Sequence, residues 1–173
     1  IKIFKNSKYK FGSIVSLVCA SKFIHTKGNL ILMDGDVFYD KKILKKLINS
    51  KKKDCLLIDK EFELGEEPVK VCIKNNKIYD FGKKVNKNFD FQGESVGFFK
   101  FSYQISKKLL DKANQIMRTN PNEMYEEAIR LIISDSSLNN FGYEDITNIP
   151  WIEIDFPEDL EKAKNKLLPK IDE

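Results

Sequence analysis

Residues 29–40 read NLILMDGDVFYD, and the reading of the fold starts there. Asn29 to Met33 reads as a short, continuous apolar strand flanked by turn-forming residues. That is the pattern of a strand covered on both faces, as in a parallel sheet. Asp34-Gly35-Asp36 follows at its carboxyl end, and then Val37-Phe38-Tyr39. In open α/β sheets, ligands bind in the crevice outside the carboxyl ends of the strands. Two carboxylates straddling a glycine there suit a hard cation such as Mg²⁺, which takes one or two carboxylates together with substrate phosphates. The same residues suit an Asx-turn that caps the next helix. This stretch alone leaves both readings open.

Working outward, Ile1-Lys2-Ile3-Phe4 is a strand candidate. Ile14, Val15, Leu17, Val18, Ala20 and Phe23 recur at helical spacing over 13–23, with Gly12 or Ser13 at the cap. Downstream, Asp40 caps a helix with Ile43, Leu44, Leu47 and Ile48 on one face and lysines on the other. Asp54 to Asp59 (DCLLID) is a second buried strand. This alternation of strands and helices predicts right-handed parallel crossovers. Val69–Ile73, Lys77–Phe81 and Ser95–Phe101 then read as short strands, with Asn75-Asn76 as a hairpin turn, in a mixed or antiparallel addition to the sheet. An acidic loop, Lys60 to Pro68, precedes them. Residues 105–117 and 122–133 read as helices, the second capped by Asn122, and 139–155 as extended chain. Pro157-Glu158-Asp159-Leu160 opens a final helix, with Pro and two acids in its first turn.

The chain has 173 residues, enough for one domain with a core of its own. Lys+Arg number 30 and Asp+Glu 26, and both signs are interspersed. The lysines fall on helix surfaces and read as a solvated face. Arg118 and Arg130 are the only arginines, which argues against base reading in nucleic acid. Cys19, Cys55 and Cys72 are far apart in apolar contexts, neither a zinc spacing nor a disulfide framework, so reduced core thiols of a cytoplasmic protein are expected. No signal peptide or apolar run of membrane-spanning length occurs. His25 reads as a helix-end or surface residue. The chain opens on a strand-like segment without Met, so a preceding amino-terminal portion is expected.

A second acidic strand end is Trp151-Ile152-Glu153-Ile154-Asp155-Phe156-Pro157, where alternation sets Glu153 and Asp155 on one side. Gly93-Glu94-Ser95-Val96-Gly97 places a carboxylate between glycines. Lys83 or Lys84 after Gly82 offers a cation for a phosphate.

In this order, LMDGDVFYD, FGKKV, GESVGFFKFS, MYEEA and WIEIDFPEDLEKA resemble the MobA-like nucleotidyltransferases, most of all the phosphocholine and 2-aminoethylphosphonate cytidylyltransferases. The resemblance covers essentially the whole chain. It implies a Rossmann-like three-layer α/β/α nucleotidyltransferase fold of GT-A-like type, with a mixed, mostly parallel sheet. The family's first strand and its L-A-A-G-x-G-x-R phosphate loop have no counterpart here, and Phe11-Gly12-Ser13 stands where Thr-Asn-Asn is usual. The resemblance thus implies a single domain, 1–173, shortened at its amino terminus and inactive alone. It implies an enzyme transferring CMP from CTP to a small phosphomonoester or phosphonate, with release of pyrophosphate. Asp36 and Asp155 become Mg²⁺ ligands and Lys83 a phosphate-facing cation. Asp34, Glu94, Tyr125, Glu126, Trp151 and Glu153 line the substrate side, where carboxylates and aromatic faces would hold a choline or aminoethyl cation, with Phe62 on a lid. For Tyr125 and Trp151 a core role stays equally open. Two alternatives stand beside this: a sugar-phosphate nucleotidyltransferase using another NTP, and a non-catalytic binding domain. The expected partners are the nucleotide and the acceptor, with a fused or partner domain, no nucleic acid and no membrane insertion.

Overall fold

The computed structural model describes residues 1–24, 28–62, 65, 68–85, 88–135 and 141–171. In chain order these form α1 (Ser13–Cys19), α2 (Ser21–Ile24), β1 (Leu30–Met33), β2 (Val37–Tyr39), α3 (Lys41–Asn49), β3 (Asp54–Asp59), β4 (Lys70–Lys74) and β5 (Lys77–Gly82). They continue with β6 (Phe91–Phe101), α4 (Tyr103–Thr119), α5 (Tyr125–Ile133), β7 (Phe141–Asp145), β8 (Trp151–Glu153) and α6 (Pro157–Lys162), then a π turn and a 3₁₀ turn to Lys170. His25 and parts of the acidic loop lie outside the described residues.

Every residue of β3 is buried. Strand alternation sends Leu56 and Ile58 to one face and Cys55 and Leu57 to the other, where two separate apolar clusters form. Ile14, Leu109 and Ile129 of α1, α4 and α5 close the first, and Ile43 and Leu47 of α3 close the second. Each fully buried aliphatic of this kind contributes about 1.5–3 kcal/mol. The result is the expected α/β/α layering.

The sheet is mixed, in the order β5-β4-β6-β3-β7, with β1 also on β6. β1, β3, β4 and β7 run in one direction and β5 and β6 in the other. Most strands are therefore parallel in direction, yet only β3 and β7 form a parallel ladder. β6 lies between β1 and β3 and pairs antiparallel with both, so the two sequence-predicted parallel neighbours do not touch. β4 pairs with Phe91–Glu94 and β1 with Phe98–Phe101, end to end along the same edge of β6. β2 and β8 form a separate antiparallel ribbon.

Local chemistry accounts for most boundaries. Asp40 accepts a hydrogen bond from the Lys42 N–H at 2.8 Å and caps α3 as expected. Asn75 and Asn76 have φ of 50° and 58°, the left-handed pair of a type I′ hairpin. Lys100, buried in β6, donates to the Ser50 carbonyl at 2.7 Å just past α3 and satisfies that helix end.

Four expectations are corrected. Ile1–Phe4 forms no strand and is exposed, because no described strand edge lies beside it. The helix expected over 13–23 breaks at Ala20, whose N–H is shared between the Ser16 and Leu17 carbonyls in a tightened last turn. α5 begins at Tyr125 rather than at an Asn122 cap, because the Ser13 hydroxyl accepts the Tyr125 N–H at 2.9 Å. Cys55 and Cys72 are core thiols, whereas Cys19 is exposed. No described helix is long and apolar enough to cross a membrane.

Candidate active site

The edge of β6 shared by β4 and β1 is interrupted at Ser95–Gly97. The Ser95 N–H still reaches the Val69 carbonyl (2.8 Å) beside β4, and the Asp34 N–H reaches the Gly97 carbonyl (3.1 Å) beyond β1. On the other edge the β3–β6 register shifts between Leu56 and Ile58. Gly97 takes φ of +72°, a conformation cheap only for glycine. The gap opens into a cleft of about 410 Å³.

Nine of the ten sequence-predicted residues line this cleft: Asp34, Asp36, Lys83, Glu94, Tyr125, Glu126, Trp151, Glu153 and Asp155; Phe62, expected on a lid, is not among its lining residues. They arrive from five places in the fold. The β2–β8 ribbon carries the first set. Val37 lies opposite Glu153, and the Ile154 N–H donates to the Asp36 carbonyl at 2.8 Å. This brings one carboxylate oxygen from each of Asp36, Glu153 and Asp155 within 4.8 Å of one another, all on exposed residues. The sequence reading paired Asp36 with Asp155 and left Glu153 to the acceptor. Its own alternation argument, with Glu153 and Asp155 on one side, was the signal for the third member. The two aspartates do come from adjacent strand ends, but on the separate β2–β8 ribbon rather than on the main sheet.

The other carboxylates sit deeper. Glu94, in β6, is pushed up to about 7 by burial, then by the negative charges of Glu153 and Asp59, with Lys70 opposing. Glu126, in the first turn of α5, is also pushed up to about 7, chiefly by burial, and its Oε2 is buried with no hydrogen-bond partner among the described residues. Glu153 rises through burial and the charges of Asp155, Asp36 and Asp34. Asp34 is pushed up to about 6 by burial, against the lowering effect of a hydrogen bond from Tyr125. Among the described residues, six carboxylates thus face one lining lysine, Lys83, which is exposed after β5.

The two aromatic residues serve both of their readings. Trp151 packs beside the α3-side cluster and also lines the cleft. Its indole N–H donates to Asp59 at 2.8 Å, at the carboxyl end of β3. Tyr125 belongs to the core, edge-on to Phe99, yet its hydroxyl lies 2.8 and 2.9 Å from the two oxygens of Asp34. Sequence reasoning missed this pairing and the part played by Gly97. A Cβ on Gly97 would fall 2.1 Å from an Asp34 oxygen.

Three hard oxygen donors within 4.8 Å of one another, with Glu153 raised by burial and then by its neighbours' charge, fit a divalent cation such as Mg²⁺.

The chain is similar to known nucleotidyltransferases. CTP:phosphoglutamine cytidylyltransferase of Campylobacter jejuni is 29% identical over 178 residues, spanning 91% of this chain and 70% of the relative. The solved structure of the inositol-1-phosphate CTP transferase from T. maritima superposes with a TM-score of 0.73 at 21% identity, covering 95% of this chain and 64% of that one, and carries the fold. The chain therefore spans just under two thirds of that solved protein. No protein-family model matches. The resemblance to nucleotidyltransferases, on the cytidylyltransferase side, is borne out.

Proposed function

We propose that this chain is the catalytic α/β portion of a cytidylyltransferase that transfers CMP from CTP to a small phosphorylated acceptor and releases pyrophosphate. The observation that carries the reading is the carboxylate centre of Asp36, Glu153 and Asp155 at a cleft otherwise lined by further acids. A triphosphate entering six carboxylates meets net repulsion, so a cation must accompany it. Asp36, Glu153 and Asp155 would hold Mg²⁺. When bound, that ion neutralises charge on the phosphoryl oxygens and orients them.

In the reaction, an oxygen of the acceptor phosphate attacks the α-phosphorus of CTP in line. The new oxygen–phosphorus bond forms as the bond to the bridging oxygen breaks, and pyrophosphate leaves with that electron pair. No protein nucleophile is required, so the chain's task is to position groups and balance charge. Lys83 stands where it can meet a phosphate. Glu94 and Glu126, whose carboxyls a bound cation would help to ionise, add acidic lining beyond the three groups that would hold Mg²⁺. That acidic lining supports an acceptor with a cationic end, of the phosphocholine or 2-aminoethylphosphonate type, beside the face of Trp151.

Pyrophosphate release from the full-length protein with CTP and Mg²⁺ tests this. The acceptor panel holds phosphocholine, 2-aminoethylphosphonate, phosphoglutamine and inositol 1-phosphate, and the other NTPs serve as controls. We expect CTP and a cationic acceptor to be preferred, with loss of at least about a hundredfold in Asp36→Ala and Asp155→Ala. Turnover with inositol 1-phosphate alone would remove the cationic acceptor. No release with any acceptor or NTP would make the non-catalytic domain the better reading.

A further inference from the structure

We infer that Tyr125 is a positioning residue for the carboxylate centre, acting through Asp34 rather than on substrate. This rests on the reading that Asp36, Glu153 and Asp155 hold a divalent cation. Asp36 is exposed, and Gly35 before it has open space where a side chain would stand, so packing at the bend itself does not aim the Asp36 carboxylate. The bend is held at its two ends. Downstream, the Asp36 carbonyl accepts the Ile154 N–H at 2.8 Å. Upstream, Asp34 is caged. Its N–H donates to the Gly97 carbonyl, its carboxylate fills the space left by the missing Gly97 side chain, and the Tyr125 hydroxyl closes the cage at 2.8 and 2.9 Å.

Tyr125 is itself held firmly. It is 7% exposed, sits edge-on to Phe99, and its N–H is fixed by Ser13 of α1. The hydroxyl is therefore a rigid donor on a rigid element, the kind of second layer that orients metal ligands. Both groups the sequence had assigned to substrate are engaged with each other.

The test is Mn²⁺ binding by electron paramagnetic resonance, read from loss of the free-ion signal, on wild-type, Tyr125→Phe, Asp34→Ala and the double variant. Phe keeps the ring and removes only the hydroxyl. We expect Mn²⁺ affinity to fall roughly tenfold in Tyr125→Phe, the scale of an outer-layer substitution at a metal site. Asp34→Ala should fall to a similar degree, with little further loss in the double variant, because both break one anchor. Should Tyr125→Phe fail to fold, Asp34→Ala alone carries the measurement. Wild-type affinity in both Tyr125→Phe and Asp34→Ala overturns the inference and leaves the cation centre standing, as do losses that simply add in the double variant. Wild-type protein that binds no Mn²⁺ overturns both. Loss of Mn²⁺ affinity in a protein that releases no pyrophosphate keeps this inference and removes the proposed reaction.

Discussion

Gly97→Ala is the sharpest perturbation of the interrupted β6 edge. At φ of +72° an alanine pays the left-handed penalty of about 1–2 kcal/mol. Its Cβ would also sit 2.1 Å from Asp34 Oδ2 and 3.1 Å from Asp34 Cβ, so the short Asp34 side chain has to leave its cage. Displacement breaks the Tyr125 hydrogen bond to a carboxylate, a contact of a type that contributes about 1.5–3 kcal/mol. Together these give a loss of about 2.5–5 kcal/mol. For a chain of this size that lowers the melting temperature by roughly 5–20 °C. Gly35→Ala is the internal control. It lies between Asp34 and Asp36, has no atom within 4 Å of a built Cβ and lacks a positive φ, so about 0.5 kcal/mol or less is expected. Differential scanning fluorimetry on the two variants decides the matter. A Gly97→Ala protein melting within about 2 °C of wild type, or a Gly35→Ala protein falling as far, would refute the reasoning.

Three further outcomes follow from particular contacts. Arg130 reaches Asp80 at 2.9 and 3.3 Å, and Asp80 is only 4% exposed. Arg130→Met should therefore cost about 3 kcal/mol in urea unfolding, and adding Asp80→Asn should recover much of it. Asp40→Ala removes the α3 cap and should cost about 1 kcal/mol in the same assay, with Asp40→Ser losing less. Glu94 and Glu126 are pushed up to about 7 from 4.5, so between those values the folded state holds protons that the unfolded chain has released. Their contribution is complete below about pH 4.5 and is lost as pH rises through about 7. Without divalent cations the melting temperature should fall from about pH 5 to about pH 8, and Glu94→Gln with Glu126→Gln should flatten that fall. A rise over the same range would contradict the assignment.

Which residues share the cleft was more legible in the sequence than the order of the sheet. Glycine-flanked Glu94, the DGD bend and the alternating Glu153 and Asp155 are local patterns, and the structure brings all of them into one cleft. The role of Tyr125 was not legible. Its partner Asp34 lies 91 positions away, and nothing near Tyr125 in the chain shows where its hydroxyl ends. Glu153 joined the centre because the β2–β8 ribbon sets its register, a pairing between segments more than a hundred residues apart.

Features set by short-range chemistry were determined by the sequence alone. The Asn75-Asn76 turn, the Asp40 cap, the proline-led start of α6 and the doubly buried β3 each depend on a few neighbouring residues and their backbone preferences. Only the tertiary structure decided that β6 would lie between β1 and β3, and that β4 and β1 would share one of its edges with a gap between them. Strand order is settled by which distant surfaces bury one another, and a strand's own apolar pattern is the same whether its neighbour runs parallel or antiparallel. The cleft exists because of that order, since it opens where one partner of β6 stops and the next begins.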